Sequence, residues 1–254
     1  MGIKKYSLED YLKFFYIEFF ATIVAIFLFA APASSAPLIG GLDFTTNPII
    51  ILFIAVTNGF TIYAIHAIYT HYLCGYTNIL IAIVYIGALE YKKRGMYILF
   101  KITLLMIAEI AGAIVATLLL WAIVGDRGTD FGKPTIGPGV SMNQAFGYEI
   151  FGTFILVSNS AIANLGFDFL PDRALISGLL LFATVIGGVA ISGASLNYVR
   201  HFGAAVVSNS FVNSDWLYYA GPTIGAIGAI VHIIAIKSVF EKVSKYRKKK
   251  TSKE

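Results

Sequence analysis

The sequence predicts an all-α membrane protein in which six transmembrane helices and two half-spanning re-entrant helices form an inverted 3+3 repeat. Three observations carry this expectation. Of 254 residues, 57% are hydrophobic and 13% charged, with a mean hydropathy of +0.77, which lies outside the range of an ordinary soluble domain. The length accommodates about six apolar spans of roughly 20 residues with short loops. Two further apolar segments, after Asn78 and after Asn197, are too brief to cross a bilayer and occupy matching places in the two halves of the chain.

In order, residues 1–13 are short, polar and basic. Residues 14–31 form the first span, stopped by Pro32. The stretch is long and lacks a small-residue cleavage pattern, so it reads as a retained span and not as a signal peptide. A loop rich in Pro, Gly, Ser and Thr fills 32–48. The second span covers 49–69, and 71–78 form a loop that leads into a half-spanning helix at 79–89. Residues 90–95 make a charged turn. The third span, 96–124, is longer than required and tilts or projects into water. A Gly/Pro-rich connection, 125–142, separates the first repeat (14–124) from the second (143–238). The fourth span is 143–165, followed by a turn at 168–173. The fifth, 174–190, runs into a second loop whose Asn197 is a good helix N-cap. The sixth covers 215–237, and a basic tail, 239–254, is expected to be disordered.

The halves match at three points in the same order. Glu18-Phe19-Phe20-Ala21-Thr22 answers Glu149-Ile150-Phe151-Gly152-Thr153; Gly75 to Asn78 answers Gly193 to Asn197; and Gly112-Ala113-Ile114 answers Gly225-Ala226-Ile227. Three spans per repeat is an odd number, so the second repeat must be inverted. The two half-helix N-termini then meet at mid-membrane, both presenting positive dipole ends. At Asn197 the amide oxygen caps the first turn, which leaves its N–H groups to face a ligand.

Lys4, Lys5, Lys13, Lys92, Lys93, Arg94, Arg173, Lys237 and Lys242 share one side of this map, with only Arg127 and Lys133 opposite. The positive-inside rule places both termini in the cytoplasm. The net charge of +5 therefore faces the cytoplasm and anionic lipid, not nucleic acid. One cysteine excludes an intrachain disulfide framework. The chain contains no HExxH, CxxC or phosphate loop, so the expectation is no enzyme, no cofactor and no metal site.

The run Ser192-Gly193-Ala194-Ser195-Leu196-Asn197-Tyr198-Val199-Arg200-His201-Phe202-Gly203 resembles the second signature loop of the aquaporin and glycerol-facilitator (major intrinsic protein) family. Tyr198 and Val199 replace the usual Pro and Ala. Asn78-Ile79-Leu80 stands where the first loop normally reads Asn-Pro-Ala, one residue shorter after Gly75. The third and sixth spans, around Ala108 to Ala116 and Tyr219 to Ala226, also look like the family's. The resemblance covers nearly the whole chain and implies a passive channel for water and small neutral solutes (glycerol, urea or ammonia). It implies membrane lipid as surroundings and a homotetramer with one pore per subunit.

It also implies roles for residues. Asn78 and Asn197 are the central pore asparagines. The selectivity constriction falls at Arg200, Val185, Ala194 and a second-span position, Asn58 or Gly59. That set lacks the family's His and bulky aromatic and so predicts a wider opening, unless Tyr76, Tyr198 and His201 narrow the lumen. Glycerol facilitators carry Asp where His201 stands. Glu18 and Glu149 read as structural acceptors for loop N–H groups, and Glu109, where the family often has Gln, as a packing residue. His66, His71 and His232 read as packing or interface residues. Without Pro at Ile79 and Tyr198 the half-helix starts lose a backbone restraint, so restoring both prolines should alter permeability or proton leak. Two other classes stay open: a proton-coupled transporter using Glu18, Glu149 or His201, and a non-conducting structural or adhesion protein.

Overall fold

The computed structural model describes residues 6–38, 43, 45–69, 72, 74–94, 96–125, 129–163 and 172–251. They form eight α-helices: α1 (Leu8–Ser35), α2 (Pro48–Tyr69), α3 (Ile79–Arg94), α4 (Met96–Val124), α5 (Met142–Ala163), α6 (Arg173–Ser192), α7 (Tyr198–Ser208) and α8 (Leu217–Thr251). Six of these are long and apolar enough to cross a membrane; α3 and α7 are not among them.

Local chemistry sets the boundaries. Ser7 and Asp10 form a capping box that starts α1, with Asp10 N–H donating to Ser7 Oγ at 3.1 Å and Ser7 N–H to Asp10 Oδ2 at 2.8 Å. Before α2, the Thr45 hydroxyl (2.6 Å) and N–H (2.7 Å) donate to Asp43 and hold its carboxyl below the ordinary range. Asn47 then caps the helix through Ile49 N–H at 3.0 Å.

Four boundaries differ from the expectation. α1 starts at Leu8 and not at 14, because the Ser7–Asp10 capping box sets its N-terminus there. α1 passes through Pro32 to Ser35, because a proline in the last turn forfeits only one backbone bond. α3 runs through the expected charged turn to Arg94, since residues 89–94 are good helix formers and Gly95 is the first breaker. The tail expected to be disordered continues α8 to Thr251; residues 238–251 contain neither Gly nor Pro. The turn at 168–171 lies outside the described residues, as do Arg127, His71 and the end of the expected fourth span.

The helices pack in a pattern that survives exchange of the halves. α1 packs on α4 and α5 on α8; α1 meets α2 and α5 meets α6; α2 and α6 pack on each other across the middle. Each half-helix reaches the other repeat: α7 packs on α4, and α3 packs on α8 and α5 as well as on α4 of its own repeat. Large apolar side chains point outward, among them Phe60 (70% exposed), Ile123 (71%) and Val231 (64%). The interior holds small residues such as Ala25, Ala55 and Ala116 beside buried polar groups. This inside-out distribution suits hydrocarbon surroundings, where helices associate by close packing and not by burial of oil from water. Lys101 in α4 is 1% exposed. Its ammonium sits 4.0 Å from the Phe14 ring centroid and 5.6 Å from that of Tyr6, a cation–π contact that ties the start of α1 to α4.

The α2–α6 contact depends on two glycines. A Cβ at Gly178 would lie 2.6 Å from Gly59 O and 2.9 Å from Tyr63 Cβ; one at Gly59 would lie 2.8 Å from Phe182 Cβ. Backbone on both sides leaves nothing to yield. Gly178→Leu is expected to cost about 3 kcal/mol or more, read as a lower unfolding midpoint in detergent. An unchanged midpoint would show that the two helices do not meet this closely.

Candidate functional site

The two loops entering α3 and α7 are built alike. Each ends in a residue of positive φ, Thr77 (φ 54°) or Leu196 (φ 51°), followed by the asparagine that starts the half-helix. Non-glycine residues in this region cost on the order of 1–3 kcal/mol each, so surrounding bonds must hold them. In the first loop Glu18 accepts the N–H groups of Gly75 (2.6 Å), Tyr76 (3.2 Å) and Thr77 (2.6 Å). In the second, Glu149 accepts Ser195 N–H (2.9 Å), Leu196 N–H (2.8 Å) and the Ser192 hydroxyl (2.6 Å). Both glutamates are 0% exposed. A buried carboxylate is tolerable because three donors replace its water. Glu109, also fully buried, faces Glu18.

The asparagines close the arrangement. Asn78 Oδ1 accepts Leu80 N–H and Asn197 Oδ1 accepts Val199 N–H, each at 3.1 Å, so both cap their helices. Asn78 Nδ2 donates to Leu196 O at 2.8 Å, and Asn197 Nδ2 donates to Thr77 O at 2.7 Å. Thr77 and Leu196 are thus held twice: by N–H to the glutamate of their own half and by C=O to the asparagine of the other. A primary amide carries two N–H bonds. One is used across the junction, which leaves one on each asparagine.

A narrow cavity passes the junction. Its volume is about 30 Å³, room for about two waters at a time. Its polar lining includes Asn58, His66, Asn78, Asn197 and Arg200; Phe29, Ile62, Leu156 and Leu181 supply apolar wall. Arg200 is 6% exposed. Its Nη1 donates to Ala194 O, and its Nε has no partner. Asn58 is 0% exposed with neither amide atom bonded.

The structure brings together only part of the expected constriction. Asn58 and Arg200 line the cavity with Tyr76. Gly59 faces the other way, into an apolar crevice with Phe60, Tyr63 and Phe182 on the flank of α2 and α6. Val185 and Ala194 are fully buried and packed into the apolar core, outside the lining. Tyr198 turns to α8, where its hydroxyl bonds Thr223 Oγ1 and its ring lies 6.1 Å from that of Tyr219. His201 is 0% exposed and stacks on Tyr218 at 4.2 Å. His66, expected to be a packing residue, lines the cavity, whereas His232 packs edge-on against Phe154. The wall residues Phe29, Leu156 and Leu181 were not singled out from the sequence. A signal for one stripe was present: Asn58, Ile62 and His66 recur at i, i+4 and i+8 on α2.

Six apolar helices around a polar junction of two re-entrant half-helices define a multi-pass integral membrane protein. The major intrinsic protein family model matches residues 5–232, and the chain belongs to that family. Aquaporin-7 of Botryotinia fuckeliana is 30% identical over 220 residues, covering 84% of this chain and 44% of that protein. Aquaporin-1 of Homo sapiens is 31% identical over 140 residues, covering 52% and 50%. These alignments therefore span about half the length of those relatives or less. The aquaglyceroporin from Plasmodium falciparum has the same fold, with a TM-score of 0.67 over 87% of this chain and 93% of that one, at 20% identity.

Proposed function

We propose that the chain is a passive channel, not an enzyme, conducting water and small neutral solutes past the Asn78–Asn197 junction. The observation that carries this reading is the pair of half-helices whose capping asparagines bond across to each other's loops and still line a cavity. A solute entering so narrow a passage sheds its hydration, and the wall must replace those hydrogen bonds. The free asparagine N–H groups donate, and the adjacent loop carbonyls accept. Two positive helix ends and Arg200 oppose cations and hydronium. The glutamates act as clamps, each accepting three donors from its own loop. The halves 14–124 and 143–238 are the two repeats of the channel, with both termini cytoplasmic. The protein assembles as a homotetramer in lipid, one passage per subunit.

Light scattering from proteoliposomes in gradients of sucrose, glycerol and urea tests the reading. Faster volume change than in empty vesicles is expected; equal rates would overturn it. Asn58 gives a second prediction. A buried amide with no partner costs on the order of 1–3 kcal/mol unless the cavity contents bond to it. Asn58→Leu should leave the unfolding midpoint equal or higher while urea flux falls at least about fivefold. A lower midpoint with unchanged flux would assign Asn58 to structure and not to solute.

A further inference from the structure

The two clamps are not equivalent. In the second, one donor to Glu149 is a side chain, the hydroxyl of Ser192, which precedes Gly193. Cys74 precedes Gly75 at the matching place of the first loop, and its thiol turns instead to Tyr72 O at 3.6 Å. The three donors to Glu18 are all backbone N–H groups. A different side chain reaches it. Glu109, in α4, faces Glu18 and is 0% exposed. The match of Gly112 with Gly225 sets Pro222 at the corresponding place of the second repeat, so the second clamp has no such carboxyl.

Neither Glu109 oxygen accepts a hydrogen bond. Ile79 N–H, at the start of α3, is turned toward it without reaching hydrogen-bond geometry. Two carboxylates that share a buried site do not both ionise. Donors favour charge on the group that accepts them, and the three loop N–H groups go to Glu18. Lys101 and Glu18 both act on Cys74, so one buried cation stands near the pair, and it balances one carboxylate, not two. A negative charge on Glu109 would be a buried ion with no donor bonded to it, which is the costly case.

We propose that Glu109 is a carboxylic acid that donates its proton in a hydrogen bond to Glu18. It is a positioning residue. It gives the first clamp the side-chain donor that Ser192 gives the second. Through Glu18 it steadies Thr77, whose N–H bonds that carboxylate and whose carbonyl accepts from Asn197. The carbonyl oxygen of the acid is left to face Ile79 N–H, a group that proline at 79 would lack. The consequence for permeation rests on the channel reading above; the protonation itself does not.

Infrared spectra at neutral pH of the full chain and of Glu109→Gln, both in a maltoside detergent that carries no carbonyl, test the assignment. The C=O stretch of a protonated carboxyl lies above the amide bands, clear of the stretches of an ionised one. The parent-minus-variant spectrum is expected to show that acid band. Glutamine keeps a donor for Glu18, so its thermal midpoint and its water flux in proteoliposomes should stay close to the parent's. Glu109→Leu has no donor; its midpoint should fall by a few degrees. Its water flux should fall at least about threefold, because the loop has lost a hydrogen bond to a charged group. A difference spectrum showing carboxylate stretches in place of the acid band overturns the proposal. So does a Glu109→Leu protein with parent-like flux, or with a midpoint at or above the parent's, the result expected if leucine relieved two facing charges. Parent flux equal to that of empty vesicles would instead sink the channel reading, while the spectra and midpoints would still judge the proton on Glu109.

Discussion

Alanine at Glu149 is expected to strip most of the folded protein from the membrane fraction, and alanine at Glu18 to do the same. Each side chain is the anchor of one entry loop. Removing Glu149 orphans the N–H groups of Ser195 and Leu196 and the Ser192 hydroxyl at once. It also releases the backbone at Ala194 and Leu196, both held at positive φ. Hydrogen bonds to a charged group contribute about 1.5–3 kcal/mol each. Three of them rival the roughly 5–15 kcal/mol that separates a folded domain from its unfolded chain. Glutamine should be milder, since it keeps one acceptor oxygen and sets its NH2 against only one of the three donors. Monodispersity on size exclusion and the thermal midpoint of the detergent-solubilised protein read the effect. A parent-like midpoint for Glu149→Ala would mean that the loop holds its shape without the clamp.

Leucine at Asn197 should lower water and solute flux at least about tenfold, the second large effect. The substitution removes a helix cap, on the order of 0.5–2 kcal/mol, and leaves Thr77 O unbonded in a buried setting, about 1–3 kcal/mol more. Because Asn197 secures the first loop and Asn78 the second, damage at one end loosens both. Asn197→Asp separates the roles. Aspartate keeps the acceptor that caps Val199 N–H but has no N–H to give, and it sets a carboxylate oxygen against Thr77 O. The expected outcome is a chain that still inserts, with reduced flux and weaker exclusion of cations. An Asn197→Asp protein with parent-like flux and proton leak would remove the amide hydrogens from the account.

Much of this was legible in the chain, and the physical reasons are particular. Runs of apolar residues bounded by Gly, Pro and charge placed the spans within a few residues, because a bilayer leaves the backbone few alternatives. Glu18 and Glu149 are read as loop acceptors from the family resemblance, and the cost of a lone carboxylate inside a span is consistent with that role. Helix ends were less legible. Pro32 looked like a stop, yet it sits where only one bond is at stake, and the charged run 90–94 looked like a turn although its residues favour helix. The constriction was least legible. One residue of register decides whether Asn58 or Gly59 faces the lumen, because adjacent positions on a helix point about 100° apart. His201 carried no sequence sign of its partner, since Asp215 reaches it from the connection between α7 and α8.

The central claim is that solute passes through the cavity beside the asparagine junction. Leu181 lines that cavity and takes part in neither clamp nor cap. Water flux through proteoliposomes carrying Leu181→Trp, checked for intact assembly, tests the claim most directly. The account predicts flux reduced to that of empty vesicles, because an indole fills a passage of about 30 Å³. Flux equal to the parent's, in a protein that folds, would contradict it.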